Sequence, residues 1–447
     1  MAKIFFSGIG GSGLSALACF MADRGHHIAG SDRSFDRSPD NALCALFRAR
    51  GISIVPQDGS GIDASYDLLV LSTAVEDRNP DIVKAREANV RMLTRPQYLS
   101  EIAAGFRTIA VAGTSGKSTT AGLLAFLLRA LGMEPNFIGG GRVKQFRSAV
   151  NPGNSLSGSS DFLVIEACES DGSVVHYYPL HSIITNLSLD HNAIETTGQM
   201  FETLGRNTAQ VLVIGGDDRN LSGLRFDHPV RFSVDTQSEY TVESVEYRSL
   251  STAFSVKGVD FQLALPGKHN LCNALAAIAL LTEMGVGLRD IAGVLLDFAG
   301  VERRFDIHLD NGRHLVIDDY AHNPHKITSL MQTITAMRDR VCYIFQPHGF
   351  GPTLLMKQEY IEAFVRNLRP GDHLMLLPIY FAGGTAHRNV SSELLSDEIK
   401  SAGRSAEVLQ ERALLFDRLG EWDNYIVFGA RDDTLANYAQ DIARRLQ

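Results

Sequence analysis

The 447-residue chain has little cysteine and no pattern in it. Cys19, Cys44, Cys168, Cys272 and Cys342 are scattered, odd in number and form no CxxC pair. That excludes a disulfide scaffold, suits a reducing compartment and leaves a zinc site without its usual spacing. Long apolar runs are missing too. None reaches the roughly 20 residues of a membrane-spanning helix, and the opening MAKIFFSG lacks the apolar core of a signal peptide. Positive charge is in deficit, with 42 Lys and Arg against 51 Asp and Glu, and the net −9 argues against a nucleic-acid-binding surface. There is no low-complexity tract and no short-period repeat. The expectation is a cytoplasmic protein whose partners are neither nucleic acid nor membrane, as a monomer or homodimer. At this length one core does not suffice, so several domains are expected.

Glycine is present where it carries meaning. Gly113-Thr114-Ser115-Gly116-Lys117-Ser118-Thr119 follows the apolar run Thr108–Ala112 and precedes a helical run from Ala121. That reads as strand, glycine turn, helix. In this setting backbone N–H groups converge on phosphate oxygens and the helix N-terminus adds positive partial charge. Lys117 supplies a full charge, and the Ser118 hydroxyl can ligate Mg²⁺. The usual spacing is GxxxxGK[ST]; Val111 leaves only the shorter GxxGKS. The alternative is a glycine turn bearing a surface lysine.

A second glycine signature opens the chain. A short strand, Lys3–Phe6, leads into Gly8-Ile9-Gly10-Gly11-Ser12-Gly13, then a helical run to Arg24 and a strand ending at Ser31-Asp32. Strand, GxGxxG, helix, strand and acid is the dinucleotide fingerprint in its expected context. By itself it suits NAD or FAD, a nucleotide-sugar diphosphate, or a tight turn with no ligand.

Further apolar runs end in polar tips: Asp161–Glu166, Ser182–His191 and Val211–Asp218 in the middle, His314–Asp319, Val341–Phe345, His373–Leu377 and Tyr425–Gly429 later. Parallel strands buried on both faces read this way, and ligands gather at their carboxyl ends. The reading is α/β throughout, in three domains: a Rossmann-like 1–105, a central mononucleotide-binding 106–306 and a second Rossmann-like 307–447. Glu166 and His191 at two strand ends would offer a cation a carboxylate and an imidazole. Mg²⁺ prefers oxygen, so a structural histidine is the competing reading of His191.

GIGGSGLSALA with GSD, GTSGKSTT, VIEACESDGS, TNLSLDH, GKHNLCNALAA, ERRF, DDYAHNP and FQPH occur in one order. In this the chain resembles the Mur ligases over nearly its full length, specifically the branch that adds L-alanine to UDP-N-acetylmuramate. The murein-peptide recycling ligase is a close relative. The resemblance implies an ATP-dependent, amide-forming ligase of peptidoglycan precursor synthesis that uses Mg²⁺ and an acyl phosphate. It places Gly8, Gly10, Gly11, Gly13, Ser31 and Asp32 around the UDP-sugar. It places Gly113, Thr114, Gly116, Lys117, Ser118 and Thr119 at the ATP phosphates, and His269, Asn270 and Asn273 at adenine. Ser118 and Glu166 would ligate one Mg²⁺ and His191 a second. Arg304 would reach the phosphates, Asp319 the ribose, and His322 the reacting groups. No lysine lies between Lys144 and Lys257, which fits the branches that manage without a carbamoylated one.

Three positions depart from that pattern. Ser115 stands where the branch has His. His348-Gly349-Phe350-Gly351-Pro352-Thr353 stands where arginines usually follow FQPH, and Arg431 interrupts GAGD. Arginine suits a carboxylate through paired hydrogen bonds, so the amine, an amino acid or short peptide, is left open. His348, Arg388 and Arg431 are the candidates to meet it. The remaining alternatives are an NAD-dependent oxidoreductase and a nucleotide-binding regulator without turnover.

Overall fold

A computed structural model describes residues 1–38, 41–72, 75–190, 192–381 and 389–447. The chain divides into two compact units, Met1–Val301 and Glu302–Gln447. Together they hold three α/β domains.

The first unit begins with a five-stranded parallel sheet: β1 (Lys3–Ser7), β2 (His27–Ser31), β3 (Ser53–Val55), β4 (Leu68–Leu71) and β5 (Arg91–Thr94), in the order 3-2-1-4-5. The chain reverses between β1 and β4, so the turn after β1 sits at the point where such sheets bind ligands. The helix Ser12–Asp23 is apolar almost all round, with Leu14 to Met21 buried, because it packs both on its own sheet and on the strands that follow.

The second sheet has eight strands: β6 (Arg107–Ala112), β7 (Asn136–Ile138), β8 (Ser155–Leu156), β9 (Phe162–Glu166), β10 (His181–Ile184), β11 (Val211–Gly215), β12 (Val230–Ser233) and β13 (Tyr240–Thr241). Their order is 13-12-11-10-6-9-7-8, parallel except where β8 pairs with β7. Register brings Val111 beside Glu166 and Ala112 beside Ile184. The carboxyl ends of β9 and β10 therefore flank the turn that leaves β6. A small antiparallel sheet follows: β14 (Ser244–Tyr247), β15 (Thr252–Val256) and β16 (Val259–Leu263). The Ala- and Leu-rich helix Lys268–Glu283 is buried through its middle, from Asn273 to Leu281.

His181, at the start of β10, is 4% exposed. Burial, and after it the charge of Arg107, drives its imidazole down to about 4. The unfolded chain binds that proton near pH 6.5, so the folded state loses stability as pH falls from there toward 4, by up to about 3 kcal/mol. His181→Gln is expected to flatten the acid limb of urea-midpoint measurements between pH 7 and 4.5. An unaltered limb would assign the acid lability to other groups.

The second unit carries β17 (Asp306–Asp310), β18 (Leu315–Asp319), β19 (Val341–Phe345), β20 (His373–Leu376), β21 (Ala406–Val408) and β22 (Asn424–Phe428). The order is 17-18-22-19-20-21, parallel except for β17, which pairs antiparallel with β18 across a register shift at Ile307/Leu309. Glu302 to Phe305 belong to this unit. The reason is local. The Arg303 guanidinium is buried, donates from Nε to Asp318 at 3.2 Å and from Nη2 to the Gly429 carbonyl at 2.7 Å. The Phe305 N–H donates to Asp319 at 2.7 Å.

Candidate active site

The turn from β6 into the helix Lys117–Ala130 has the shape expected of a phosphate loop. Gly113 (φ +130°) and Gly116 (φ +87°) hold backbone angles that side chains rarely adopt. A Cβ would meet Thr185 Oγ1 at 2.0 Å on Gly113 and Asn273 Oδ1 at 2.3 Å on Gly116. The segment after β10 clasps the loop from outside. Asn186 accepts from the Ser115 N–H at 2.9 Å and donates to the Ser115 carbonyl at 2.9 Å. The Thr114 hydroxyl accepts from the Ser188 N–H at 3.0 Å, and Thr185 Oγ1 donates to the Ser115 carbonyl at 2.6 Å. Thr185, Asn186 and Ser188 were not singled out from sequence. The TNLS tract reads as a strand end, and only the register beside β6 makes it a clamp.

Lys117 opens the helix, and its ammonium turns back into the loop. It donates to the Gly113 carbonyl at 2.6 Å and sits 3.0 and 2.8 Å from the two oxygens of Glu169. Burial works against the ammonium, but Glu169, with Cys168 and Glu166 behind it, more than offsets this and holds its pKa above lysine's ordinary value. Glu169 is a second residue the sequence reading passed over. It lies three positions beyond Glu166, and nothing in the local pattern tells a buried counter-ion from a loop carboxylate.

One residue along, the Ser118 hydroxyl donates to Glu166 Oε2 at 3.0 Å. Glu166 Oε1 accepts from the Gly140 and Gly141 N–H groups at 2.8 and 3.2 Å. The hydroxyl and carboxylate expected to share a cation are thus together at the mouth of the loop. Both donors are oxygen, and two protein ligands suffice for Mg²⁺ that also takes waters and phosphate oxygens. The pair fits that ion. His191, expected at a second cation, lies outside the described residues, and so does Arg388.

Thr119 is buried in the same helix. Asn273, also buried, reaches it from the facing helix, with its Oδ1 accepting from Thr120 at 3.2 Å. Asn270 donates to the Pro266 carbonyl at 2.9 Å and so ties down that helix's first turn. His269, beside it, is half-buried.

At the first sheet, Gly8 turns the chain, and its N–H and that of Ile9 donate to the Ser31 carbonyl at 2.8 and 3.1 Å. Gly11 caps the Ser12–Asp23 helix. Asp32 braces this turn. It accepts from the Gly10 N–H at 2.9 Å and from the Ser34 N–H at 2.9 Å. Ser31, expected around the UDP-sugar, ends β2 beside this turn. Its hydroxyl is fully buried and donates to Asp81, which Ser7 and the Gly59 N–H also engage. Over Gly13 lies Arg95, its Cδ 2.7 Å from where a Cβ on that glycine would stand. Arg95 is ion-paired with Asp171, on the loop beyond Glu169.

In the second unit, His322 is buried and its Nδ1 lies 2.8 Å from the Tyr320 carbonyl. A carbonyl only accepts, so Nδ1 carries the proton and Nε2 keeps its lone pair. Burial, then the charge of Lys326, pushes the imidazole well below histidine's ordinary value, so it is neutral at pH 7. The His348 ring stands edge-on to it, with centroids 5.3 Å apart. Arg304 lies over the Tyr320 ring at 4.5 Å. Asp319 accepts from the Phe305 and Ala321 N–H groups, both at 2.7 Å. Arg431 holds φ +71° at an exposed turn.

Three family descriptions match the chain in series. The Mur ligase family catalytic domain matches residues 3–107, the Mur ligase middle domain 111–281 and the Mur ligase glutamate ligase domain 303–433. The UDP-N-acetylmuramate–L-alanine ligase of Synechococcus sp. is 32% identical over 96% of this chain and 93% of its own. That of Burkholderia multivorans is 33% identical over 91% and 90%. Among solved structures, the UDP-N-acetylmuramate–alanine ligase of Thermotoga maritima superimposes with a TM-score of 0.83 at 29% identity, covering 100% of this chain and 99% of that one. A murein peptide ligase from Psychrobacter arcticus, with a TM-score of 0.68 at 22% identity over 100% and 99%, shares the fold.

Proposed function

The chain belongs to the Mur ligase family and is an ATP-dependent ligase, and we propose that it joins the carboxylate of UDP-N-acetylmuramate to L-alanine in the cytoplasm, in peptidoglycan precursor synthesis. The observation that carries this reading is the phosphate loop with Lys117 inside it and Ser118 and Glu166 3.0 Å apart at its mouth. A nicotinamide oxidoreductase has no use for that loop.

The chemistry asks for no protein nucleophile. A carboxylate oxygen of the sugar attacks the γ-phosphorus of ATP, ADP leaves, and an acyl phosphate forms. The amine nitrogen then attacks the acyl carbon, phosphate leaves, and the nitrogen gives up a proton. Positioning and charge neutralisation account for the catalysis. Gly113 to Thr119 would cradle the phosphates through N–H groups, with Lys117 on the transferring group. Ser118 and Glu166, with His191, would hold Mg²⁺. That ion neutralises phosphate charge when bound. His269, Asn270 and Asn273 are assigned to adenine, Arg304 and Asp319 to the phosphates and ribose. The loop from Gly8 to Gly13, braced by Asp32, offers the Ser12–Asp23 helix N-terminus to the UDP pyrophosphate. His322 is suited to take the amine's proton, because its imidazole is neutral and Nε2 has the free lone pair.

Phosphate release with ATP and UDP-N-acetylmuramate, measured against L-alanine and against L-Ala-γ-D-Glu-meso-diaminopimelate, tests the assignment. L-Alanine is expected to be the better amine by kcat/KM. Preference for the tripeptide would favour the recycling ligase, a reading that Gly349 and Pro352 in place of arginines leave room for. No release with either would overturn the ligase assignment of this site.

A further inference from the structure

We propose that Glu169 is a latch on the phosphate loop, occupying Lys117 until a nucleotide arrives as its complex with a divalent cation. The inference rests on the nucleotide reading of this loop and names a control within it. An ammonium has three donors. One goes to the Gly113 carbonyl at 2.6 Å, and the face toward Glu169 is taken by both carboxylate oxygens at 2.8 and 3.0 Å. The Thr114 carbonyl stands on the remaining side at 3.5 Å. A phosphate oxygen reaching Lys117 therefore displaces Glu169.

Displacement from Lys117 leaves the carboxylate where solvent does not reach it in this structure. Glu169 is buried, and its backbone is anchored, since its carbonyl accepts from the Gly172 N–H at 3.1 Å and from Asn192 at 3.2 Å. Glu166 stands on the same strand exit, held by Ser118 and the Gly140 and Gly141 N–H groups. Among the described residues, Glu166 and Glu169 thus set two carboxylates against Lys117 at the loop. A bare triphosphate adds further negative charge to that excess, whereas one bound to a divalent cation brings compensating charge with it. Glu169 is in this way a positioning residue that acts through Lys117 and makes nucleotide affinity depend on the metal.

The test is equilibrium binding of ATP to the full chain by calorimetry, in EDTA and in Mg²⁺, for wild type and Glu169→Gln. The amide keeps the shape and removes the charge. E169Q is expected to bind metal-free ATP about tenfold tighter than wild type and Mg-ATP within about threefold of it. A merely structural glutamate would, on removal, weaken both forms. Glu169→Asp keeps the charge and shortens the reach, so it serves as the milder second variant and should fall between the two. Metal-free affinity in E169Q and E169D that is no tighter than wild type overturns the latch and leaves the nucleotide site standing. A wild-type chain that binds ATP in neither condition overturns both.

Discussion

Lys117→Ala is expected to fold and to lose about a thousandfold or more of its ATP-dependent rate, the effect of removing a charge aimed at a transferring phosphoryl group. Alanine is the best helix former, so the first turn of Lys117–Ala130 is not at risk. Stability is, because the substitution leaves Glu169 buried without its partner. Breaking one side of a buried pair costs about 3–5 kcal/mol when the remaining charge cannot escape. The two effects separate in the double variant Lys117→Ala/Glu169→Gln. It should recover most of the thermal stability and none of the rate. Steady-state phosphate release and thermal unfolding on the single and double variants measure this. A single variant with near-normal turnover would remove Lys117, and with it the phosphate-loop assignment, from the mechanism.

Arg303→Met should destabilise the second unit by about 3–5 kcal/mol at pH 8. Arg303 is the partner of Asp318, which is fully buried, and it also satisfies the Gly429 carbonyl. Burial already pushes the Asp318 carboxyl up to about 7, with Arg303 pulling the other way. In the variant the carboxyl can escape ionisation by taking a proton. For a carboxyl whose folded value lies above its unfolded one, stability is present at low pH and lost as pH rises through the folded value. The charge part of the Arg303→Met deficit relative to wild type should therefore shrink as pH falls from 8 toward about 7 and stay flat below that, and Arg303→Met/Asp318→Asn should show little pH dependence of this kind. Denaturant melts at pH 5 and pH 8 decide it. A deficit that does not change with pH would mean that lost packing and the orphaned Gly429 carbonyl, not the Asp318 charge, set the cost.

The long buried strands and helices were legible from the chain. Ser12–Asp23, Phe162–Glu166 and Val341–Phe345 fall where the apolar pattern put them. Both glycine turns lie at sheet positions suited to phosphate. The short strands were not legible. Ser53–Val55, Asn136–Ile138 and Ala406–Val408 have three residues each. A run that short carries little periodicity, and its pairing comes from a neighbour far away in sequence. The start of the second unit is hard to read from sequence for a related reason: Arg303 is committed to Asp318 and Gly429, which lie 15 and 126 positions away.

Sequence by itself determined which atoms are available for chemistry: the ammonium of Lys117, the hydroxyl of Ser118, the carboxylate of Glu166, the imidazole of His322, and glycines where backbone must approach phosphate. These are properties of residue type and local order, and a linear pattern preserves them. Tertiary structure alone decided how those atoms are committed. It set Glu169 against Lys117, turned the Ser31 hydroxyl inward to Asp81, wrapped the TNLS segment around the phosphate loop, and left His322 neutral with its Nε2 lone pair free. Each of these depends on burial or on register between strands distant in the chain. Burial sets whether a charge needs a partner, and register sets which partner is within reach; neither is encoded in the residues on either side of the group concerned.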